Sequence, residues 1–248
     1  ADRLYQLPLG VVGIAIGIVL LPDLSRKLQA EDTEGGQDAL SRAAEMSLAF
    51  AVPSMVALLV IPIPLVSTLF ERGAFDSDDT AATALACAVY GLGLPAFILQ
   101  KVVQPLFFAR EDTKRPFYYA VVAMFVNAAV AIGLAPYIGF IAAAIATTLA
   151  GWSMLALLWV GTRDMGSAAR FDARAKRRIW RIVIASIVMG GALSLGQTLV
   201  TPLMGTPGYK VIGLALLCLS GAAVYAICGQ LIGAFRLNEI KQTLRRQR

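Results

Sequence analysis

The stretch ADRLYQLPLGVVGIAIGIVLLP, residues 1–22, places an acidic and a basic residue directly before an apolar run. A helix needs about 20 apolar residues to cross the hydrocarbon core of a bilayer. Similar runs fill the rest of the chain, because 58% of its 248 residues are hydrophobic and only 15% are charged. This composition is too apolar for a water-soluble domain, and it predicts an integral membrane protein.

We predict an all-α transmembrane helix bundle with seven spans. The length needed to cross a bilayer places them at residues 4–22, 46–70, 81–109, 117–135, 137–160, 182–200 and 211–235. The second span contains Pro53, Pro62 and Pro64, and the third contains Pro95. Proline removes a helix hydrogen bond, so we expect irregular helix geometry there and a cavity inside the bundle.

Two pairs of glycines have the spacing of helix-packing motifs. Gly13 and Gly17 form a GxxxG sequence in the first span, and Gly229 and Gly233 form another in the last. Small residues at this spacing allow two helix backbones to approach closely, so both pairs predict helix contacts.

Lys and Arg are concentrated in alternate connections. Residues 23–45, 110–116, 161–181 and the tail after residue 235 hold 18 of the 22 basic residues. By the positive-inside rule this side is cytoplasmic, which places the C-terminus inside the cell. With seven spans, residue 1 then lies toward the outside, so we expect further sequence upstream.

The stretch FDARAKRRIWRIV, residues 171–183, is a dense basic segment beside the sixth span. One interpretation is a topology signal with Trp180 as an anchor at the membrane interface. The other is contact with anionic lipid headgroups, which salt would weaken.

The composition also argues against catalysis. The chain has no histidine, which removes the commonest general base and metal ligand. Cys87, Cys218 and Cys228 lie in apolar runs without the spacing of a metal site or a disulfide. No Asp or Glu lies in the middle of a predicted span. We therefore predict neither an enzyme nor a cofactor or metal site, and no nucleic-acid partner.

Polar residues at the start of the first span form one candidate site, because lipid penalises such groups. These residues are Asp2, Arg3, Tyr5 and Gln6. If the helix begins at Leu4, Asp2 and Arg3 are ordinary residues of the outer interface. If it continues upstream, they face a wet cavity, where the arginine can bind a phosphate through its planar guanidinium.

A second set of polar residues lies in the third span. Gln100 and Gln104 are four residues apart and so share one helix face, and Lys101 lies beside them. Lys101 either extends to the cytoplasmic interface or contacts substrate. Because the charged candidates include cations, they favour an anionic substrate.

Three stretches resemble one known family. They are residues 1–26, ADRLYQLPLGVVGIAIGIVLLPDLSR, residues 69–75, LFERGAF, and residues 101–116, KVVQPLFFAREDTKRP. In order and spacing they resemble the C-terminal half of the MurJ (MviN) family, lipid II flippases of the bacterial inner membrane in the multidrug/oligosaccharidyl-lipid/polysaccharide exporter superfamily. The resemblance covers essentially the whole chain.

The resemblance implies a 14-helix transporter with two six-helix lobes, two further helices and a central cationic cavity. This chain then corresponds to helices 8 to 14. Residues 1–160 are most of the C-terminal lobe, 161–181 a basic cytoplasmic linker, 182–235 the additional helix pair and 236–248 a basic cytoplasmic tail. In this family the groove of the additional pair is thought to hold the lipid tail.

The resemblance also bears on the candidate residues. Asp2 and Arg3 match a charged motif in the family's eighth helix, which favours the cavity interpretation. Some members carry an acid where Gln6 stands, so a role that needs a carboxylate does not transfer. Lys101 and the later Gln104 and Pro105 match a Lys and a Pro in the tenth helix.

The function implied is alternating-access flipping of lipid II, the undecaprenyl-pyrophosphate-linked precursor of peptidoglycan, to the periplasmic leaflet. One alternative is export of another polyprenyl-linked glycan or of small cations. Another is a scaffold that recruits cell-wall synthesis proteins without transport. An enzyme acting on a lipid-linked substrate is a weaker choice, since the chain lacks histidine and a mid-span carboxylate pair.

Overall fold

The computed structural model describes residues 2–15, 22, 25–27, 30, 32–73, 75–166, 169–204 and 209–234. Its helices are α1 (Asp2–Ala15), α2 (Thr33–Val60), α3 (Pro62–Phe70), α4 (Ser77–Phe108), α5 (Lys114–Ile138), α6 (Ile141–Gly161), α7 (Ala173–Met204) and α8 (Lys210–Ile232), with a 3-10 turn at Arg163–Met165. The described residues contain no strand. The predicted all-α class is therefore confirmed.

The number of spans differs from the prediction. Within the described residues, six helices rather than seven are long and apolar enough to cross a membrane, namely α2 and α4 to α8. The predicted first span, residues 4–22, is described as α1 only up to Ala15, and residues 16–21 lie outside the described part. Among the described residues the count is therefore six membrane-length helices rather than the predicted seven.

The predicted second span is two helices. The first, α2, begins at Thr33 rather than at residue 46, and the Asp32 carboxylate caps it by accepting a 2.9 Å hydrogen bond from the Gly35 N–H. It ends at Ile61, whose φ of −119° and ψ of 38° are not helical, and Pro62 opens α3. Because proline cannot continue the hydrogen-bond ladder of the preceding turn, the chain breaks there. The expected irregular geometry is confirmed at this point.

Helix α4 is the centre of the bundle and contacts α1, α2, α3 and α6. Its start is fixed by a capping box, in which the Asp76 carboxylate accepts hydrogen bonds from the N–H groups of Asp78 and Asp79 at 2.9 Å each. The helix then continues through Pro95 and Pro105 to Phe108. Its long buried face explains why the apolar run here is the longest in the sequence.

Glycines let α4 and α6 approach closely around one aromatic ring. The Phe97 side chain lies against Gly93 and Gly151, and a Cβ added at either glycine would come within 2.9 Å of a ring carbon. Two interhelix hydrogen bonds flank the ring, from Thr148 Oγ1 to the Val89 carbonyl at 2.9 Å and from Trp152 Nε1 to the Leu92 carbonyl at 3.1 Å. Small residues and such bonds are the usual means of joining helices in lipid.

The predicted glycine pairs behave differently from each other. Gly229 is buried within α8, but Gly233 has a φ of 72° and forms the left-handed cap of that helix. Gly13 lies in α1 against the Lys101 side chain, and Gly17 is outside the described residues. The Gly229 and Gly233 pair therefore both packs and terminates a helix, which the spacing alone did not indicate.

An ionic network joins α2 to the start of α7. The Glu45 carboxylate, only 7% exposed, accepts a hydrogen bond from Arg178 Nη1 at 2.9 Å and lies 3.5 Å from Arg174 Nε. Arg174 also donates to Asp38 at 2.7 Å. Because these residues come from two helices far apart in sequence, the network holds the two helices together at this end of the bundle, which we call the basic end.

We expect Glu45→Gln to lower the stability of the purified full-length protein by about 1–3 kcal/mol, because it removes the charge of the buried carboxylate that binds Arg178 and Arg174. The matched control is Arg42→Gln, which removes an exposed ion pair with Asp38 and should cost well under about 1 kcal/mol. Thermal unfolding midpoints in detergent measure both effects. Equal midpoints for the two variants would contradict a stabilising role for Glu45.

Candidate functional site

A cavity of about 260 Å³ lies where α1, α4 and α6 meet. Helix α1 provides Tyr5 and Leu9, and Thr147 comes from α6. The remaining lining residues are on α4: Phe97, Gln100, Lys101 and Gln104. The cavity therefore combines polar groups from the third predicted span with the start of the first, as expected for a bundle with a polar interior.

Aromatic contacts fix the position of α1 at this cavity. The Tyr5 ring stacks on Tyr90 with centroids 5.0 Å apart and an angle of 22° between the rings. It also meets Phe97 at 6.0 Å. Since Phe97 is held between Gly93 and Gly151, α1 is placed against a rigid part of the bundle.

The Lys101 side chain lies across α1. A Cβ placed on Gly13 would be 3.4 Å from Lys101 Cδ and 3.7 Å from its Nζ, so the lysine side chain lies at van der Waals distance from this position of α1. Lys101 is exposed, and none of the described residues supplies a carboxylate partner for its ammonium group. A positive charge at the cavity is therefore free to meet an anion.

The two glutamines share a face as predicted but differ in their bonding. Both line the cavity. Gln100 Nε2 donates a 2.7 Å hydrogen bond to the Gly151 carbonyl, which ties α4 to α6. Gln104 has no hydrogen-bond partner among the described residues, so of the two it is the one available to a ligand.

The candidates of the first span are only partly described. The backbone of Asp2 and Arg3 is helical in α1, but their side chains lie outside the described set. Gln6 is exposed.

Some residues of the site were not predicted from the sequence. Phe97 and Leu9 are apolar, and Thr147 sits in a run of alanines and threonines, so none has a signal that separates it from packing residues. Thr147 Oγ1 accepts from the Asn127 amide at 3.3 Å, which links α6 to the preceding helix α5. The described residues contain no group of His, Cys, Asp or Glu that could hold a metal ion.

Comparison with known proteins decides the family. The sequence model of the family described as lipid II flippase MurJ matches residues 1–215 of this chain.

The chain belongs to the MurJ family.

Two curated MurJ relatives match over nearly the whole chain. A probable lipid II flippase MurJ of Rhizobium tropici is 39% identical over 251 aligned residues, covering 100% of this chain and 47% of the relative. One of Rhizobium meliloti is also 39% identical, covering 99% and 46%. The chain thus spans about half the length of these relatives, and the predicted membership in the MurJ family is confirmed.

A solved MurJ structure has the same fold. A lipid II flippase MurJ in an inward closed conformation superposes with a TM-score of 0.75 at 26% identity, covering 93% of this chain and 45% of that one. The helix order found here is therefore that of one half of a MurJ transporter.

Proposed function

We propose that the full-length protein flips lipid II, the undecaprenyl-pyrophosphate-linked peptidoglycan precursor, from the cytoplasmic to the periplasmic leaflet of the bacterial inner membrane by alternating access. The observation that carries this proposal is the Lys101 ammonium group, which lies without a carboxylate partner among the described residues in a cavity between α1 and α4. Membership in the MurJ family supplies the substrate class.

A pyrophosphate needs cations to replace its hydration. Lys101 provides one, and Gln104 adds a polar group one turn further along α4. We propose that Arg3 provides a second cation, with Asp2 orienting it or lowering the positive charge once the cargo leaves. Gln6 is proposed to contribute an uncharged polar group on the same helix. An arginine suits this role because its fork can hold two phosphate oxygens at once.

The topology is proposed from charge. With the basic end cytoplasmic, the C-terminus is inside, residues 161–181 form the cytoplasmic linker, and residues 236–248 form a cytoplasmic tail. Residues 1–160 would be most of one lobe and residues 182–235 the additional helix pair. The groove of that pair is the proposed place for the lipid tail.

Alternating access needs a part of the bundle that bends. The break at Ile61, between α2 and α3, is a suitable place, because Pro62 has already removed the hydrogen bond that would resist bending. A ligand shifts such an equilibrium only if it binds the two states with different affinity. We propose that Lys101 and Arg3 contact the pyrophosphate more closely in the inward-facing state.

We expect Lys101→Ala in the full-length protein to reduce lipid II flipping by about tenfold, the effect of losing one charge-assisted contact. Lys101→Arg keeps the charge and should retain more activity. Lys114→Ala, at the exposed start of α5, removes the same charge outside the cavity and should have no effect. The measurement is growth of cells depleted of their own flippase, with the amount of each variant in the membrane determined by immunoblot. Full growth with Lys101→Ala would contradict the role of Lys101.

A further inference from the structure

A second cavity lies at the basic end and shares no lining residue with the cavity at Lys101. It has a volume of about 420 Å³ and lies between the start of α7 and the end of α8. Its lining, which we call the arginine pocket, consists of Ala173, Arg174, Arg177, Arg178, Arg181 and Gly233. Four guanidinium groups around one opening are unusual unless anions balance them.

Carboxylates from neighbouring elements balance only part of this charge. Asp38, Glu45 and Asp172 all lie within 3.5 Å of Arg174, and Glu45 also binds Arg178. Asp38 additionally pairs with Arg42, at 2.8 Å. The four arginines of the pocket and Arg42 make five arginines, and three carboxylates face them. The described residues therefore leave a net positive charge at the pocket.

The two remaining pocket arginines have no carboxylate among the described residues. Arg181 Nη1 donates to the Gly233 carbonyl at 3.1 Å, which orients its guanidinium at the end of α8. Arg177 is exposed, and none of the described residues provides a hydrogen-bond or ion-pair partner for it. The pocket therefore presents one oriented and one free guanidinium.

An exposed apolar stripe continues from the pocket along α7. Trp180, Val188 and Leu195 follow Arg177 by 3, 11 and 18 residues, which places all of them on one face of the helix. They are 65%, 44% and 71% exposed. Tryptophan is enriched where a membrane helix meets the headgroups, and an interfacial Trp180 would place Arg177 at headgroup level, above a surface suited to acyl chains.

We propose that the arginine pocket binds the phosphate of an anionic membrane phospholipid, with its acyl chains along the Trp180, Val188 and Leu195 stripe. The guanidinium fork matches phosphate geometry better than an ammonium group does. The apolar stripe favours a lipid over free phosphate. No residue of the arginine pocket lines the cavity at Lys101, and the proposal does not depend on what the protein transports.

The test is lipid retention by the purified full-length protein. The protein is equilibrated in detergent with phosphatidylglycerol and phosphatidylcholine, and bound lipid is counted by native mass spectrometry. We expect wild-type protein to retain phosphatidylglycerol selectively and Arg177→Lys to retain about tenfold less, because the charge stays while the fork is lost. Arg177→Gln should lose at least as much. Unchanged retention in Arg177→Lys would overturn the proposal.

Lys176 provides the matched control. It is exposed, it adjoins Arg177, and it does not line the pocket. Lys176→Gln removes the same charge as Arg177→Gln but should lower retention by no more than about fivefold, the effect of one generic basic residue near a membrane surface. Equal losses for the two Gln variants would show a diffuse basic surface and overturn the site.

A competition arm distinguishes the two sources of phosphate. Inorganic phosphate in 100-fold molar excess over phosphatidylglycerol should displace little of the lipid, because it lacks acyl chains to contact the stripe. Complete displacement would assign the pocket to free phosphate and overturn the lipid assignment. Unfolding midpoints of all variants, expected to match wild type, separate loss of the site from loss of the fold.

Discussion

Arg3→Ala in the full-length protein is expected to abolish growth of cells depleted of their own lipid II flippase. Arginine carries a permanent charge and two parallel donors, and loss of both removes the proposed bidentate contact with the pyrophosphate. A loss of about 10- to 100-fold in flipping follows from charge-assisted hydrogen bonds of about 1.5–3 kcal/mol. Growth at this level of flipping should fail, because peptidoglycan synthesis depends on the precursor.

Two further variants test whether the loss of growth is specific to the guanidinium group of Arg3. Arg3→Lys keeps the charge but loses the fork, so we expect intermediate growth. Arg72→Ala removes an exposed arginine in the loop between α3 and α4 and should grow normally. Immunoblots of the membrane fraction must show equal amounts of all three proteins. Normal growth with both Arg3 variants would exclude the proposed contact.

Gly151→Val is expected to have the largest effect on the fold. A side chain at residue 151 would run into the Phe97 ring, whose Cδ1 lies 2.9 Å from the position of the added Cβ. The ring has little room on its other side, because a Cβ at Gly93 would also lie 2.7 Å from it. Overpacking of this kind costs about 1–3 kcal/mol. Phe97 also lines the cavity, so a displaced ring would change the shape of the cavity.

Gly133→Val is the matched control for that variant. Gly133 lies in the exposed part of α5, and a Cβ there has no neighbouring atom within 4 Å. Unfolding midpoints in detergent should fall for Gly151→Val and stay near wild type for Gly133→Val. Adding Phe97→Leu to Gly151→Val should restore part of the loss. If the two valine variants have the same midpoint, the account of the interface between α4 and α6 is wrong.

The sequence predicted the features that depend on local patterns. Apolar length identified the helix bundle, and the prolines near residue 61 indicated the break between α2 and α3. The four-residue spacing of Gln100 and Gln104 predicts a shared helix face, and both residues line the cavity. These inferences succeed because hydrophobic length and helical periodicity are properties of short segments.

Features that join distant segments could not be predicted in the same way. Glu45 and Arg178 meet across 133 residues, and no local pattern pairs them. The sequence predicts a connection at residues 23–45, yet its part from Thr33 onward is helical and Glu45 is buried beside its arginine partners. The contact of Lys101 with Gly13 likewise depends on how α1 packs on α4.

The contacts of α7 and α8 indicate which parts move together. At the basic end the Glu45 network joins α7 to α2, and Tyr225 donates a 2.7 Å hydrogen bond from α8 to the Ala49 carbonyl of α2. At the opposite end Lys210 lies 3.6 Å from Glu71. Because bonds at both ends connect the pair to α2 and the end of α3, we expect α7 and α8 to follow these helices during any conformational change.

The most direct test of the proposed function is flipping of fluorescent lipid II by the purified full-length protein in sealed vesicles. A membrane-impermeant reagent that quenches only outward-facing label reports the leaflet. We predict that wild-type protein moves the label across the bilayer and that Arg3→Ala moves it at least about tenfold more slowly, the loss expected from one charge-assisted contact. Vesicles with wild-type protein that flip no faster than protein-free vesicles would contradict lipid II flipping. Equal rates for wild type and Arg3→Ala would contradict the proposed role of Arg3.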